Sequence, residues 1–104
     1  MEDLQLISFQ IISAVGSARS MYIDAIYLAK EGKFKEARKQ IEEGEKVFLK
    51  SHHAHAQLIQ EEVNNKKVNL NLLLVHAEDQ LMSAEAFKIL ANEFIDVYER
   101  ISLK

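Results

Sequence analysis

An all-α fold, an antiparallel up-down-up bundle of three long helices, follows from three features of the sequence. The 104 residues include no proline and only Gly16, Gly32 and Gly44 as glycines, so little in the chain interrupts a helix. Apolar and small residues recur in alternating steps of three and four along three long stretches, the spacing of a helix face. Two short polar segments separate the stretches, and short connections force each helix to return antiparallel to the last. One domain spanning 1–104 is expected, near the size at which an oligomer interface adds useful burial.

The first helix carries Leu4, Ile7, Ile11, Ala14, Ala18, Met21, Ala25 and Leu28 as a heptad seam, widened by Ile12, Val15, Tyr22 and Ile26. Gly16 interrupts it at a cost of about 1 kcal/mol relative to Ala. Two readings stand open there: close approach of another helix, or room for a bulky group beside a site. Lys30-Glu31-Gly32-Lys33 ends the helix, with Gly32 placed to turn left-handed just beyond it. The second helix repeats the spacing at Phe34, Ala37, Ile41, Gly44, Phe48, Ser51, His55 and Leu58. Residues 60–67 are polar and unpatterned, with Asn64-Asn65 the expected turn. From Val68 the third helix carries Leu70, Leu73, Ala77, Gln80, Ala84, Phe87, Ala91, Phe94, Tyr98 and Ile101 nearly to the C-terminus.

Composition removes several function classes. Thirteen Lys and Arg against sixteen Asp and Glu leave a net charge of -3, with no basic stripe to track a nucleic-acid backbone. The chain has no cysteine, which excludes disulfides, thiolate metal sites and cysteine nucleophiles. Its acidic Met-Glu-Asp start is unlike a secretory signal, and no apolar run has the length to span a bilayer. A soluble cytoplasmic protein, meeting the membrane only through partners, is the expectation.

The stretch Leu70 to Met82 concentrates the chemistry. Leu70, Leu72, Leu73, Leu74 and Val75 point in every direction around a helix, which one subunit of this size does not cover, so partner chains are expected to. This wall delivers His76, with Asp79 and Gln80 one turn further on the same side. An imidazole is a nucleophile or base near neutral pH, and Asp79 can orient it or hold a cation. Asp79 is expected near the inward side of the helix, beside Leu73, Ala77 and Gln80. A helix starting at Val68 puts His76 too deep to use the N-terminal dipole, which leaves Gln80 as the nearest donor to an anion. His52, His53 and His55 lack a third acidic or sulfur ligand at helical spacing, so they read as surface or seam histidines rather than a metal site.

The string Leu-Val-His76-Ala-Glu-Asp79-Gln-Leu-Met resembles the phosphorylation motif of the lactose/cellobiose-type enzyme IIA proteins of the bacterial sugar phosphotransferase system. Gly16-Ser-Ala-Arg19-Ser resembles that family's first-helix motif, Ala29-Lys-Glu-Gly32-Lys-Phe34-Lys-Glu-Ala37 its first turn, and His52 falls at its second-helix histidine. The resemblance implies a homotrimer of three-helix hairpins with His76 as phosphoacceptor and His52 lining the site. Asp79 of each subunit would meet its mates around a divalent metal ion, Mg²⁺ or another oxygen-preferring ion, on the three-fold axis. It further implies phosphoryl transfer from HPr to His76 and on to a cysteine of a cognate IIB, during uptake of a β-disaccharide of the cellobiose, chitobiose or lactose type. Where the family usually reads His-Ala-Gln-Asp-His, this chain has Glu78 and Gln80, and His55 replaces a common glutamine. A non-catalytic helical adaptor derived from the family is the alternative those departures support.

Overall fold

The computed structural model describes residues 4–64, 67 and 70–104. The described elements are three helices in the expected order, α1 (Leu4–Lys30), α2 (Phe34–Val63) and α3 (Leu72–Ser102). Gly32 ends α1 at φ 82°, a left-handed backbone that glycine reaches without a Cβ clash. Around it the Lys33 N–H donates to the Leu28 carbonyl at 2.9 Å and the Gly32 N–H to that of Ala29 at 3.0 Å, which satisfies carbonyls the helix leaves unpaired.

The second connection falls four residues later than expected, between Val63 and Leu72. Residues 60–63 stay in α2, because Gln60, Glu61 and Glu62 are good helix formers even without an apolar pattern, and Asn64 closes the helix by donating to the Gln60 carbonyl at 3.0 Å. Asn65 and Val68, the other half of the expected turn and the expected start of the third helix, lie outside the described residues. Helix α3 begins at Leu72. Its start is set by Asn71, whose side-chain oxygen accepts from the Leu74 N–H at 2.8 Å as an N-cap.

Helix α1 is the middle of the molecule: α2 and α3 both pack on it along their lengths and meet each other only over a narrow strip. It therefore buries two stripes. One holds Ile7, Ile11, Ala14, Ala18 and Ala25 of the expected seam; the other holds Ser8, Val15, Tyr22 and Ala29. Alanines at 18, 25, 77, 84 and 91 keep the helix contacts thin. On α2 the expected seam is the buried face, with Ala37, Ile41, Gly44, Phe48, Ser51 and Leu58 all covered. On α3 the core line runs instead through Leu74, Ala77, Leu81, Ala84, Ala91 and Ile95, while Leu70, Phe94 and Ile101 of the expected seam are exposed. The product is a slab of 57 × 21 × 15 Å.

The close helix approach occurs at Gly44 and not at Gly16. A Cβ on Gly44 would lie 2.6 Å from Cε1 of Tyr22, whereas nothing stands within 4 Å of one on Gly16. Tyr22 is fully buried, its ring over Gly44 and its hydroxyl donating to Glu45 at 3.3 Å, a long bond and hence a weak one. Glu45 also holds Lys88 of α3 at 2.7 Å, so one carboxylate touches side chains from both other helices.

Two kinds of outcome follow from this packing, the first in the stability of glycine variants. Gly44→Ala should destabilise by up to about 2 kcal/mol in urea unfolding, overpacking of roughly 1–3 kcal/mol set against the roughly 1 kcal/mol gained in helix propensity. Gly16→Ala should gain up to about 1 kcal/mol, and a loss would show another chain packed there. The second outcome concerns pH. Burial first, and then the charge and hydrogen bond of Glu45, raise the Tyr22 pKa well above its ordinary value. A tyrosine that stays protonated in the fold while the unfolded chain ionises stabilises fully below about pH 10 and loses that contribution as pH rises further. Stability measured from pH 8 to 11 should fall more steeply for the wild type than for Tyr22→Phe.

Candidate functional site

With α3 starting at Leu72, His76 opens the second turn, just past the first turn in which the helix dipole acts. Its imidazole is exposed and makes no hydrogen bond or ion pair among the described residues. That leaves a ring nitrogen lone pair available to an electrophile brought from outside.

Gln80, one turn on, is half-buried toward α1, and its Oε1 accepts from Arg19 Nη1 at 2.6 Å. The contact uses the amide's acceptor and leaves its two N–H donors unused. Arg19 lies in the Gly16-to-Ser20 motif but has no role in the sequence reading; the signal was an arginine in a motif without a matching acid at helical spacing. Helices α1 and α3 run parallel with equal rise, so the 19-to-80 contact puts Gly16 at the level of Ala77, next to His76. The unfilled space at Gly16 fits the second reading of that residue, room beside a site.

Asp79 does not face inward. It is exposed on the outer side of α3, in a line of Leu72, Val75, Asp79, Met82, Ala86 and Ile89 that keeps the steps of three and four. Leu72 is 84% exposed and Met82 69%. Gln80, at 100° around the helix from Asp79, marks the boundary of the α1 contact, and the expected position followed from placing the core stripe one residue off. Among the described residues Asp79 forms no ion pair, and no group of three or more His, Asp or Glu in one chain is arranged to hold a metal ion.

The other histidines separate. His52 is exposed, edge-on to Phe48 with ring centroids 5.6 Å apart, and lies 3.7 Å from Glu85. Glu85 is nine residues beyond His76, roughly 13 Å by helical rise, so His52 is not brought to His76 within one chain. His53 lines an open groove of about 860 Å³ between α1 and α2 with Phe9, Ser13, Ser17, Lys50 and Gln57. His55 pairs with Glu78 across the α2–α3 strip, 2.7 and 2.8 Å from its two carboxylate oxygens. Two of the three departures from the family pattern are thus one contact, with Glu78 turned to α2 and away from the outer stripe.

The arrangement is an all-α bundle with the imidazole of His76 unengaged on its surface among the described residues, one turn from an amide that holds a guanidinium. Residues 6–99 match the family of the PTS system, Lactose/Cellobiose specific IIA subunit. The lichenan-specific phosphotransferase enzyme IIA component of Bacillus subtilis is 42% identical over 97% of this chain and 92% of its own. The lactose-specific EIIA component of Staphylococcus aureus is 30% identical over 95% of this chain and 96% of its own. Among solved structures, the cellobiose-specific enzyme IIA from Bacillus anthracis superposes with TM-score 0.94 at 38% identity, covering 100% of this chain and 96% of the other. The chitobiose IIA of Escherichia coli, solved in complex with HPr, gives TM-score 0.84 at 27% identity over 98% and 99% of the two chains. The protein belongs to the lactose/cellobiose-specific IIA family of the sugar phosphotransferase system.

The His55–Glu78 contact is partly open to water, so its worth is small. A double-mutant cycle with His55→Gln and Glu78→Gln, read by thermal unfolding at pH 6, should give a coupling of about 0.2–1 kcal/mol. A coupling near zero would show two independent surface groups.

Proposed function

We propose that this chain is a phosphocarrier that accepts a phosphoryl group from phospho-HPr on His76 and passes it to a cysteine of its cognate IIB. The observation that carries the reading is the exposed, unpartnered imidazole of His76 in a chain of this family. In the first step a ring nitrogen lone pair of His76 forms a bond to phosphorus as the bond to the donor's histidine nitrogen breaks; in the second the cysteine sulfur of IIB forms the bond to phosphorus as the His76 nitrogen–phosphorus bond breaks. The electron pair of the broken bond returns each time to the ring that releases the group. Little covalent help is needed, because such transfers depend on positioning and charge stabilisation. The sugar is of the β-disaccharide class, in line with the cellobiose, chitobiose and lactose names of the relatives. The protein works in the cytoplasm; none of the described helices is long and apolar enough to cross a membrane.

The same reading includes a homotrimer. The outer stripe from Leu72 through Met82 to Ile89 is a heptad seam that none of the described residues covers, the geometry of helices packed around an axis. Asp79 interrupts that seam. Three copies would converge there, and three carboxylates with water suit Mg²⁺ or a similar oxygen-preferring divalent ion. The ion would offset repulsion among the carboxylates and hold the axis together; His76, on the neighbouring side of the helix, would face the groove between subunits. The second reading, a non-catalytic adaptor, loses ground because Glu78 is held to His55.

Incubation with phosphoenolpyruvate, enzyme I and HPr should add one phosphoryl group by mass spectrometry, abolished in His76→Ala. No incorporation where a control IIA is labelled would overturn the phosphocarrier reading in favour of the adaptor.

Sedimentation equilibrium tests the axis. EDTA should weaken the trimer at neutral pH, mild acid should partly restore it as the carboxylates take up protons, and Asp79→Leu should give a trimer indifferent to EDTA. A monomeric wild type, or an Asp79→Leu variant that dissociates, would remove Asp79 from any such axis.

A further inference from the structure

We infer that Arg19 is the residue that binds the phosphoryl group on His76, with Gln80 as its positioning partner. The inference rests on the phosphocarrier reading and adds to it a residue on a different helix. A phosphoryl group on the imidazole brings about two negative charges, and the nearby sequence of α3 opposes it with Glu78 and Asp79. The dipole of α3 has faded at His76. The compensating charge must come from a side chain.

Arg19 meets the requirement. Its Nη1 is 2.6 Å from Gln80 Oε1, and Gln80 is one helical turn from His76, a separation of roughly 5–6 Å between side-chain bases. No carboxylate pairs with Arg19 among the described residues, whereas Arg38, buried to a similar class, is taken by Asp96 and Glu99 at 3.3 and 2.5 Å. One of five guanidinium N–H donors is used on Gln80, which leaves the fork that matches phosphate oxygens in pairs. Gln80 is suited to hold it. As a neutral acceptor it fixes the guanidinium without cancelling its charge, which an acid at that position would do. Glu78 is kept out of the way by His55, 2.7 Å across the α2–α3 strip. The unfilled volume at Gly16, one turn before Arg19 on α1, leaves space for the incoming group.

In the transfer Arg19 neither gives nor takes a proton. The His76 nitrogen–phosphorus bond forms as the donor's breaks, and Arg19 supplies positive charge to the phosphoryl oxygens throughout.

The test is the rate of His76 phosphorylation by phospho-HPr in wild type, Arg19→Met, Arg19→Lys and Gln80→Leu, with helicity and melting temperature recorded for each. Arg19→Met keeps the packed stem and should slow labelling by about tenfold or more, with part of the rate returned by added guanidinium chloride at low concentration. Arg19→Lys should retain more activity than Arg19→Met, and Gln80→Leu should lie between them. A rate within about twofold of wild type for Arg19→Met, or a loss that guanidinium and lysine both leave unrepaired, overturns the role of Arg19. Failure of the wild type itself to take up phosphate overturns the underlying reading instead, so the two failures are distinct.

Discussion

The seating of Tyr22 over Gly44 sets the register of the whole bundle. A tyrosine ring buried on the middle helix needs a gap in the neighbour, and Gly44 of α2 supplies it, with the would-be Cβ 2.6 Å from the ring. Once α1 and α2 are locked there, Glu45 falls beside the Tyr22 hydroxyl and within 2.7 Å of Lys88 on α3. The ring contributes most, since burial of an aromatic side chain outweighs a long hydrogen bond and a half-exposed ion pair. Arg19 lies one turn before Tyr22, so the same register delivers its guanidinium to Gln80.

The chemistry stands where the packing stops. His76 is on the edge of the α1–α3 contact, Gln80 just inside it and Asp79 just outside. A residue one step further in would have been buried with the alanines, and its imidazole closed to any macromolecular donor. One step further out, it would have joined the apolar outer stripe. Three neighbouring residues thus have three environments within one turn of helix.

Departures from a family pattern are easier to interpret as contacts than as single positions. Glu78 beside His76 reads as a liability for an anion held there, and His55 in the second helix reads as an isolated histidine. Across the α2–α3 strip they neutralise one another when the imidazole is protonated, and the carboxylate is directed away from the outer stripe. Twenty-three positions separate them in the chain, too far for any local spacing rule to join them.

Helix type, helix order, the first turn and the buried face of α2 were all legible in the sequence, because a period of 3.6 residues, an absence of proline and one well-placed Gly32 are local signals. The family was legible through the motif around His76. The inward stripe of α3 was not, because its apolar residues satisfy the three-and-four rule along more than one line, and lines through Ala77, Ala84 and Ala91 share members. Only contact with α1 decides which line is core, and by deciding it turns Asp79 outward and Gln80 toward Arg19. The start of α3 was missed for a related reason: Val68 and Leu70 continue an apolar pattern, but Asn71 ends the competition by capping Leu74. Periodicity along a chain reports which residues can be buried, whereas which of them are buried is set by the helix that arrives against them.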